Sequence, residues 1–263
     1  MIRLAAFDLD GTLMGADQRI PAPVKRAIAR ARDRGVIVTL ATGRMFAATL
    51  PFARELDVTA PLICYQGGWI QAPDGDVLYR VSLPTDLART ATDLADVEGW
   101  HTVLYADGQL YVRELIHPVA FYHGLLGSDI TVGVPWQAIF AAHTVDKVLF
   151  VADPPQIPTM APVLNARFAG LADVVQSHVR FIEVVPQGVD KGTALAWLAQ
   201  HFDVPRSEVL AAGDQGNDLA MVQWAGVGVA IGNAIPAVKE AAVWIAPPVT
   251  EAGAAAILER FVL

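Results

Sequence analysis

Two aspartates close to the N-terminus give the first indication of chemistry. Asp8 and Asp10 follow the apolar run Leu4–Phe7, which predicts a strand buried on both faces. Side chains two residues apart in a strand point to the same face, so both carboxylates would point the same way if the strand continues through them. Neighbouring carboxylates repel each other and any phosphate, so the pair favours a bound cation, and hard oxygen ligands suit Mg²⁺. An Asp-Gly turn after a strand is the structural alternative.

A second polar cluster follows another apolar run. The segment Gly213-Asp214-Gln215-Gly216-Asn217-Asp218 comes directly after residues 209–212. Open α/β sheets bind ligands at the carboxyl ends of their strands, so we expect Asp214, Asn217 and Asp218 to lie near the first pair. A helix start needs a single capping Asp or Asn, and this cluster exceeds that need.

Two further motifs are able to hold the oxygens of a phosphate group. Thr42, Gly43 and Arg44 follow the strand predicted at residues 36–41, and a hydroxyl with a glycine-freed backbone N–H can bind phosphate at a helix start. Lys191 begins a predicted helix, where a cation opposes the helix dipole, which indicates a separate role. The structural alternative for Thr42-Gly43 is an ordinary turn at the end of a strand, and for Lys191 it is a solvated surface lysine.

The elements that must position these residues alternate at both ends of the chain. Short apolar runs separated by helical periods predict βαβ units around a parallel sheet. From Pro84 the pattern changes to helices and hairpins, one of which turns at Asp107-Gly108, and it indicates an inserted α+β module. We therefore predict an α/β fold, with a doubly wound, mostly parallel Rossmann-like core and an inserted α+β cap. The predicted bounds are 1–83 and 186–263 for the core and 84–185 for the cap.

Composition excludes several classes of function. A net charge of −8 without a basic cluster opposes binding to nucleic acid, and no apolar run approaches the ~20 residues of a membrane span. The single cysteine, Cys64, excludes an internal disulfide, and the six scattered histidines lack zinc-ligand spacing. We expect a cytoplasmic protein, a monomer or weak dimer, whose partner is a small-molecule phosphate ester.

The four motifs, in this order, resemble those of the haloacid dehalogenase superfamily of phosphatases. The large insertion and the wording Gly-Val-Asp-Lys-Gly-Thr-Ala-Leu, followed by Gly-Asp-Gln-Gly-Asn-Asp, are similar to the Cof-type sugar-phosphatase branch. The resemblance spans nearly the whole chain. It departs at Gln66-Gly67-Gly68, where relatives usually show Asn-Gly-Ala, so the amide there lies one carbon further from the backbone.

The resemblance implies a role for each acid. Asp8 would be the nucleophile that forms an aspartyl phosphate, and Asp10 would protonate the leaving oxygen and then deprotonate the attacking water. The side chains of Asp8 and Asp214, with the main-chain carbonyl of Asp10, would hold Mg²⁺.

Roles for the remaining motif residues follow from the same resemblance. Thr42 and Gly43, with Lys191, would bind the phosphate oxygens. Asn217 and Asp218 would contact phosphate or position Lys191 and the metal ligands. Arg44 would bind phosphate or lie at the hinge of the cap.

The predicted function is that of a Mg²⁺-dependent phosphohydrolase acting on a small phosphorylated metabolite. Sugar phosphates are the first expectation, followed by phosphorylated cofactors such as flavin mononucleotide or pyridoxal phosphate. A phosphotransferase similar to phosphomannomutase shares the same motifs and is one alternative. A non-catalytic metabolite-binding protein on the same scaffold is the other.

Overall fold

Strands and helices alternate along the chain. The computed structural model describes the backbone of residues 1–263 and the side chains of residues 1–123 and 126–263. The strands are β1 (Leu4–Phe7), β2 (Ile37–Leu40), β3 (Leu62–Cys64), β4 (Trp69–Gln71), β5 (Val77–Arg80), β6 (His101–Ala106), β7 (Gln109–Val112), β8 (Ile130–Val132), β9 (Val145–Val151), β10 (Ala172–His178), β11 (Phe181–Pro186), β12 (Val209–Gly213), β13 (Val227–Ala230) and β14 (Trp244–Ile245). The helices are α1 (Ala22–Asp33), α2 (Phe46–Glu55), α3 (Thr85–Glu98), α4 (Val119–Leu126), α5 (Trp136–Ala142), α6 (Ile157–Phe168), α7 (Lys191–His201), α8 (Leu219–Trp224), α9 (Pro236–Ala241) and α10 (Gly253–Phe261).

The chain divides into two compact units. The first unit contains Met1–Gly43, Thr49–Tyr79 and Asp190–Leu263, and the second contains Arg44–Ala48 and Arg80–Val189.

The second unit extends beyond the predicted insertion of residues 84–185 on both sides. On one side, the Leu83 N–H donates to the Val145 carbonyl at 2.9 Å. On the other, the Gly188 N–H donates to Asp173 Oδ2 at 2.7 Å. These bonds attach residues 80–83 and 186–189 to the second unit. Such long-range pairings cannot be predicted from local sequence patterns.

A parallel sheet forms the centre of the first unit. Its strand order is β14-β13-β12-β1-β2, with Leu4 level with Val209 on one side and Ile37 on the other. Every residue of β1 and β12 is buried, as expected for central strands that helices cover on both faces. The predicted doubly wound, mostly parallel core is confirmed.

Helices supply the two layers around this sheet. Leu4 and Ala6 of β1 belong to one apolar cluster with Leu195 and Leu198 of α7. Helix α1 packs beside α10 and buries Val24, Ala27, Ile28 and Ala31. Their spacing of three and four residues places them on one helical face, which is the face that the helix buries.

The third strand leads into a small separate sheet instead of continuing the parallel one. An isolated parallel bridge joins Ala41 to Ile63, and β3 then pairs antiparallel with β4 in the order β3-β4-β5. A hairpin turns at Pro73-Asp74-Gly75, where the Gly75 N–H donates to the Ala72 carbonyl at 2.9 Å.

The second unit contains a six-stranded sheet in the order β10-β11-β9-β6-β7-β8. Its strands pair antiparallel except β7 with β8. Residues of α3, α5 and α6, including Ala88, Ile139 and Leu164, share one apolar cluster with the sheet. The predicted α+β character of this module, with its hairpin at Asp107-Gly108, is therefore confirmed.

None of the helices in the described chain combines the length and the apolar composition needed to cross a membrane.

Candidate active site

Adjacent parallel strands bring the predicted carboxylates together. Phe7 pairs with Ala212 across β1 and β12, and the Asp8 N–H donates to the Ala212 carbonyl at 3.0 Å. Both strands therefore end at the same edge of the sheet. One carboxylate oxygen from each of Asp8, Asp214 and Asp218 lies within 4.8 Å of the others, and all three side chains are buried.

Lys191 is the cation of this cluster. Its side chain is fully buried, and Nζ donates to Asp8 Oδ1 at 2.7 Å and to Asp218 Oδ1 at 2.6 Å. Burial alone would lower the pKa of Lys191, but the charges of Asp218 and Asp8 raise it above its usual value. The ammonium is therefore charged at neutral pH.

The helix that carries Lys191 begins with a well-formed cap. Asp190 Oδ1 accepts from the Thr193 N–H at 2.7 Å, and Thr193 Oγ1 accepts from the Asp190 N–H at 3.1 Å. This capping box satisfies donors of the first turn and places a carboxylate near the positive end of the dipole. The unfavourable position of a lysine in that turn is thereby offset.

Asp218 connects the lysine to the loop after β12. Its Oδ2 accepts from the backbone N–H groups of Asp214 and Gln215 at 2.9 and 3.0 Å. Gly213 permits this approach, because a Cβ there would lie 2.3 Å from the Cβ of Asp218. Asp218 thus has both oxygens committed to the protein and is suited to positioning its neighbours.

Asp214 packs against the turn that follows Asp8. Its Oδ1 accepts from Thr12 Oγ1 at 3.1 Å, and its Oδ2 accepts from Gln215 Nε2 at 3.0 Å. Asn233 Nδ2 donates to the Gly11 carbonyl at 2.9 Å and lies 3.4 Å from Asp214 Oδ2. Gly11 has a φ of +86°, and a Cβ there would lie 2.4 Å from Asp214 Oδ2, so only glycine fits this position.

The cluster carries more negative than positive charge. Burial, and then the charge of Asp218, raise the pKa of Asp8 well above its usual range, although Lys191 opposes them. Burial and Asp218 likewise raise the pKa of Asp214 to about 6. Buried carboxylates this close need a compensating cation, and an all-oxygen ligand set fits a hard divalent ion such as Mg²⁺.

The Thr42-Gly43 turn contacts a residue that lay outside the predicted site. The Gln66 N–H donates to the Thr42 carbonyl at 3.2 Å, and a Cβ at Gly43 would lie 2.3 Å from Gln66 Nε2. Gln66 Oε1 accepts from Asn217 Nδ2 at 2.9 Å. Gln66 therefore links the predicted phosphate turn to the loop that carries Asn217.

Two predicted residues stand apart from the buried carboxylates. Asp10 has an exposed side chain, yet it lies close enough for its charge to raise the pKa of Asp8. Arg44 belongs to the second unit, where its Nη1 would lie 2.8 Å from a Cβ at Gly127. Its charge acts there on Tyr105, whose pKa burial raises and Arg44 partly lowers.

Sequence reasoning overlooked Thr12, Gln215, Asn233 and Gln66 as members of the site. Thr12 and Gln215 lie inside the acidic motifs and only their roles were missed. Asn233 follows β13, so a polar residue after a buried strand could have identified it. Gln66 was noticed only as a departure from the usual wording.

Comparisons of the sequence match known proteins over nearly the whole chain. A sequence model of the haloacid dehalogenase-like hydrolases matches residues 5–258. The 5-amino-6-(5-phospho-D-ribitylamino)uracil phosphatase YitU of Bacillus subtilis is 30% identical over 98% of this chain and 97% of its own.

Solved structures also share the whole fold. A haloacid dehalogenase-like hydrolase from Bacteroides thetaiotaomicron is 29% identical, with a TM-score of 0.87 over 99% of both chains. A protein from Thermotoga maritima is 29% identical, with a TM-score of 0.85 over 100% of this chain and 98% of that one. The chain therefore belongs to the haloacid dehalogenase-like hydrolases, and it is a phosphatase of that family.

Proposed function

We propose that this phosphatase is Mg²⁺-dependent and removes phosphate from a small phosphorylated metabolite through an aspartyl phosphate on Asp8. The observation that carries the proposal is the buried cluster of Asp8, Asp214 and Asp218, in which Asp8 and Asp218 accept from the ammonium of Lys191. Such a cluster combines a nucleophile with groups that can compensate the charge of a phosphoryl group.

Asp8 is the proposed nucleophile. Lys191 holds its Oδ1 at 2.7 Å, and Oδ2 is the oxygen proposed to attack phosphorus. The new bond from Oδ2 to phosphorus forms as the bond from phosphorus to the ester oxygen breaks. Water then hydrolyses the aspartyl phosphate and restores the carboxylate.

Asp10 is the proposed acid and base. It would give a proton to the departing ester oxygen and later accept one from the attacking water. Its exposed side chain supports this role, because a solvated carboxyl exchanges protons with water more readily than the buried Asp8.

The metal and the phosphate would share the remaining groups. The side chains of Asp8 and Asp214 and the carbonyl of Asp10 would hold Mg²⁺, which supplies positive charge to the phosphate oxygens. Thr42 and Lys191 are proposed to bind phosphate oxygens.

Gly43 would contribute its backbone N–H to the phosphate, and Asn217 its carboxamide. Asp218 is proposed as a supporting residue, since its two oxygens already hold Lys191 and the backbone of residues 214 and 215. Arg44 is proposed to bind phosphate or to lie at the hinge of the cap. The second unit, which contains Arg44, is inferred to be the cap that selects the leaving group.

The substrate is proposed to be a phosphate ester of a sugar or sugar alcohol. The Bacillus subtilis relative acts on a phosphorylated ribityl compound and is similar over nearly its whole length. Phosphorylated cofactors are the second class to test, because cap residues rather than the phosphate-binding residues distinguish leaving groups.

The test is phosphate release with Mg²⁺ across sugar phosphates, sugar-alcohol phosphates, nucleotides and phosphorylated cofactors. The Asp8→Asn variant and a chelated sample of the parent run beside it. Release by the parent alone supports the proposal. Turnover by Asp8→Asn would refute the covalent mechanism, and undiminished turnover after chelation would refute the metal. Transfer of the phosphoryl group to a sugar hydroxyl, in the presence of a bisphosphate activator and without accumulation of inorganic phosphate, would indicate a phosphotransferase.

A further inference from the structure

The side chain of Gln66 spans two loops of the candidate site. Its backbone N–H donates to the Thr42 carbonyl at 3.2 Å, and its Oε1 accepts from Asn217 Nδ2 at 2.9 Å. Only 2% of the residue is exposed. Gln66 is thus held at its backbone by the turn after β2 and at its carboxamide by the loop after β12.

The backbone conformation of Gln66 is one that side chains disfavour. Its φ is +62° and that of the preceding Tyr65 is +52°, in the left-handed region where a Cβ crowds the backbone. Residues in this conformation persist at functional sites when their surroundings hold them. Glycine would fit position 66 with less strain, so the presence of glutamine indicates that the carboxamide has a role.

The carboxamide fills the space over the predicted phosphate turn. A Cβ at Gly43 would lie 2.3 Å from Gln66 Nε2 and 3.1 Å from Gln66 Oε1. The glycine in the Thr42-Gly43 turn therefore leaves room for the amide of Gln66. This contact explains how Gln66 reaches Asn217 while it remains against the turn.

Asn217 retains hydrogen-bonding capacity that the protein does not use. Its Nδ2 carries two N–H groups, and Gln66 accepts from this nitrogen. Its Oδ1 is buried and has no hydrogen-bond partner among the residues with described side chains. Buried acceptors are nearly always satisfied, and an exception in a native protein needs an explanation such as a bound ligand.

We propose that Gln66 is a positioning residue for Asn217 in this phosphatase. It holds the Asn217 carboxamide so that one N–H binds a phosphate oxygen and Oδ1 accepts from an O–H group of the phosphorylated ligand. The inference rests on the proposed function. The inference explains the glutamine at position 66. An asparagine on the same backbone is one carbon shorter, which would move its carboxamide away from Asn217.

A double-mutant cycle tests the proposal. The variants are Gln66→Gly, Asn217→Ala and the combination of both, and kcat and KM are measured for the best ester together with the Kd of inorganic phosphate in Mg²⁺. Gln66→Gly is expected to raise KM and Kd about tenfold, the loss typical of one hydrogen bond, with little change in kcat. The double variant is expected to be no worse than Asn217→Ala alone.

Two further variants separate positioning from structure. Gln66→Asn is expected to match Gln66→Gly in KM, because its carboxamide is retracted. Gln18 is an exposed glutamine with a φ of +54°, so Gln18→Gly relieves the same kind of strain outside the site and is expected to keep the parent KM. Thermal unfolding checks that each variant is folded.

Several results overturn the inference. A parent-like KM in Gln66→Gly, or losses that multiply in the double variant, would show that Gln66 does not act through Asn217, while turnover by the parent would leave the proposed function standing. A parent that neither releases phosphate from the panel nor binds inorganic phosphate would overturn both.

Discussion

Lys191 Nζ lies 2.6 Å from Asp218 Oδ1, and both side chains are excluded from solvent. Because the ammonium also contacts Asp8 at 2.7 Å, it balances two buried carboxylates at once. Removing one partner from a buried ion pair is far more damaging than removing a surface pair, since the remaining charge keeps its desolvation penalty.

Lys191→Met is therefore expected to destabilise the fold and to stop catalysis. The free energy of unfolding should fall by about 3–5 kcal/mol, because Asp8 and Asp218 lose their common cation. The kcat of the variant should be lower than that of the parent by a factor on the order of 10² or more, as when a preorganised donor to a transition state is removed. Urea unfolding and phosphate release measure the two effects.

Lys25→Met provides the matched control. Lys25 pairs with Glu55 at the surface, where the side chains are 41% and 38% exposed, so its loss should change the unfolding free energy by less than about 1 kcal/mol. Equal losses of unfolding free energy in Lys191→Met and Lys25→Met would contradict the expectation that Lys191 balances the charges of Asp8 and Asp218.

Asp8→Asn is expected to remove turnover without loss of stability. Asp8 is buried among Asp214, Asp218 and Asp10, and burial and these carboxylates together disfavour its charged form. The amide of the variant is a poor nucleophile, so turnover is lost. The substitution also removes one of the crowded negative charges, while the ion pair of Lys191 with Asp218 remains. Urea unfolding in the presence of a chelator should give a free energy equal to or above that of the parent.

Asp218→Asn is the comparison for this prediction. Asp218 accepts from two backbone N–H groups as well as from Lys191, and hydrogen bonds to a charged acceptor contribute about 1.5–3 kcal/mol each. This variant should therefore be the less stable of the two. The reverse order would mean that the charge of Asp8 stabilises the fold.

The carboxylate cluster could be predicted from sequence because local patterns determine it. Asp8 and Asp214 each follow a buried strand, and parallel strands place their carboxyl ends along one edge. Gly43 and Lys191 were likewise noticed from their positions at element ends. Strand and helix periodicity was sufficient for the core and for the α+β character of the insertion.

Contacts between distant segments explain what sequence reasoning missed. Asn233 and Gln66 reach the site through hydrogen bonds to Gly11 and Asn217, and no local pattern encodes either pairing. The second unit recruits Arg44–Ala48 from a segment whose neighbours belong to the first. Arg44 and Ala48 lie beside Gly127 of the second unit, and periodicity carries no information about such a contact.

Gly11→Ala is expected to damage the site through a single methyl group. The new Cβ would lie 2.4 Å from Asp214 Oδ2 at a φ of +86°, so the Asp214 carboxylate or the turn must move. A displacement of this size in a catalytic group lowers kcat on the order of 10²-fold. Kinetics with saturating Mg²⁺ measure the effect.

Gly35→Ala separates backbone strain from this contact. Gly35 has a φ of +81° and no heavy atom of the described chain within 4 Å of the added Cβ. It should lose about 1–2 kcal/mol of stability from the left-handed conformation and keep the parent kcat. A similar fall in kcat for both variants would show that strain, and not Asp214, explains the Gly11 result.

The folding stability of the second unit is expected to depend on pH through Asp146. Its Oδ1 accepts from Arg80 Nε at 2.9 Å, whereas its Oδ2 is buried and unpartnered within the described part of the chain. Burial raises the pKa of Asp146 from 3.8 to about 6, and Arg80 only partly opposes that rise. The folded chain therefore binds this proton more tightly than the unfolded chain does.

Stability from this proton is fully present below pH 3.8 and is lost as the pH rises through 6. The expected loss is about 3 kcal/mol, from a shift of about two pKa units. Asp146→Asn should remove this contribution from the unfolding free energy between these pH values, while the contributions of Asp8 and Asp214, whose pKa burial also raises, remain. Asp107→Asn is the control, because Arg80 and the Thr144 N–H lower the pKa of that carboxyl against the effect of burial. If the dependence of the unfolding free energy on pH is unchanged in Asp146→Asn and is lost in Asp107→Asn, the carboxyl that titrates is Asp107 and not Asp146.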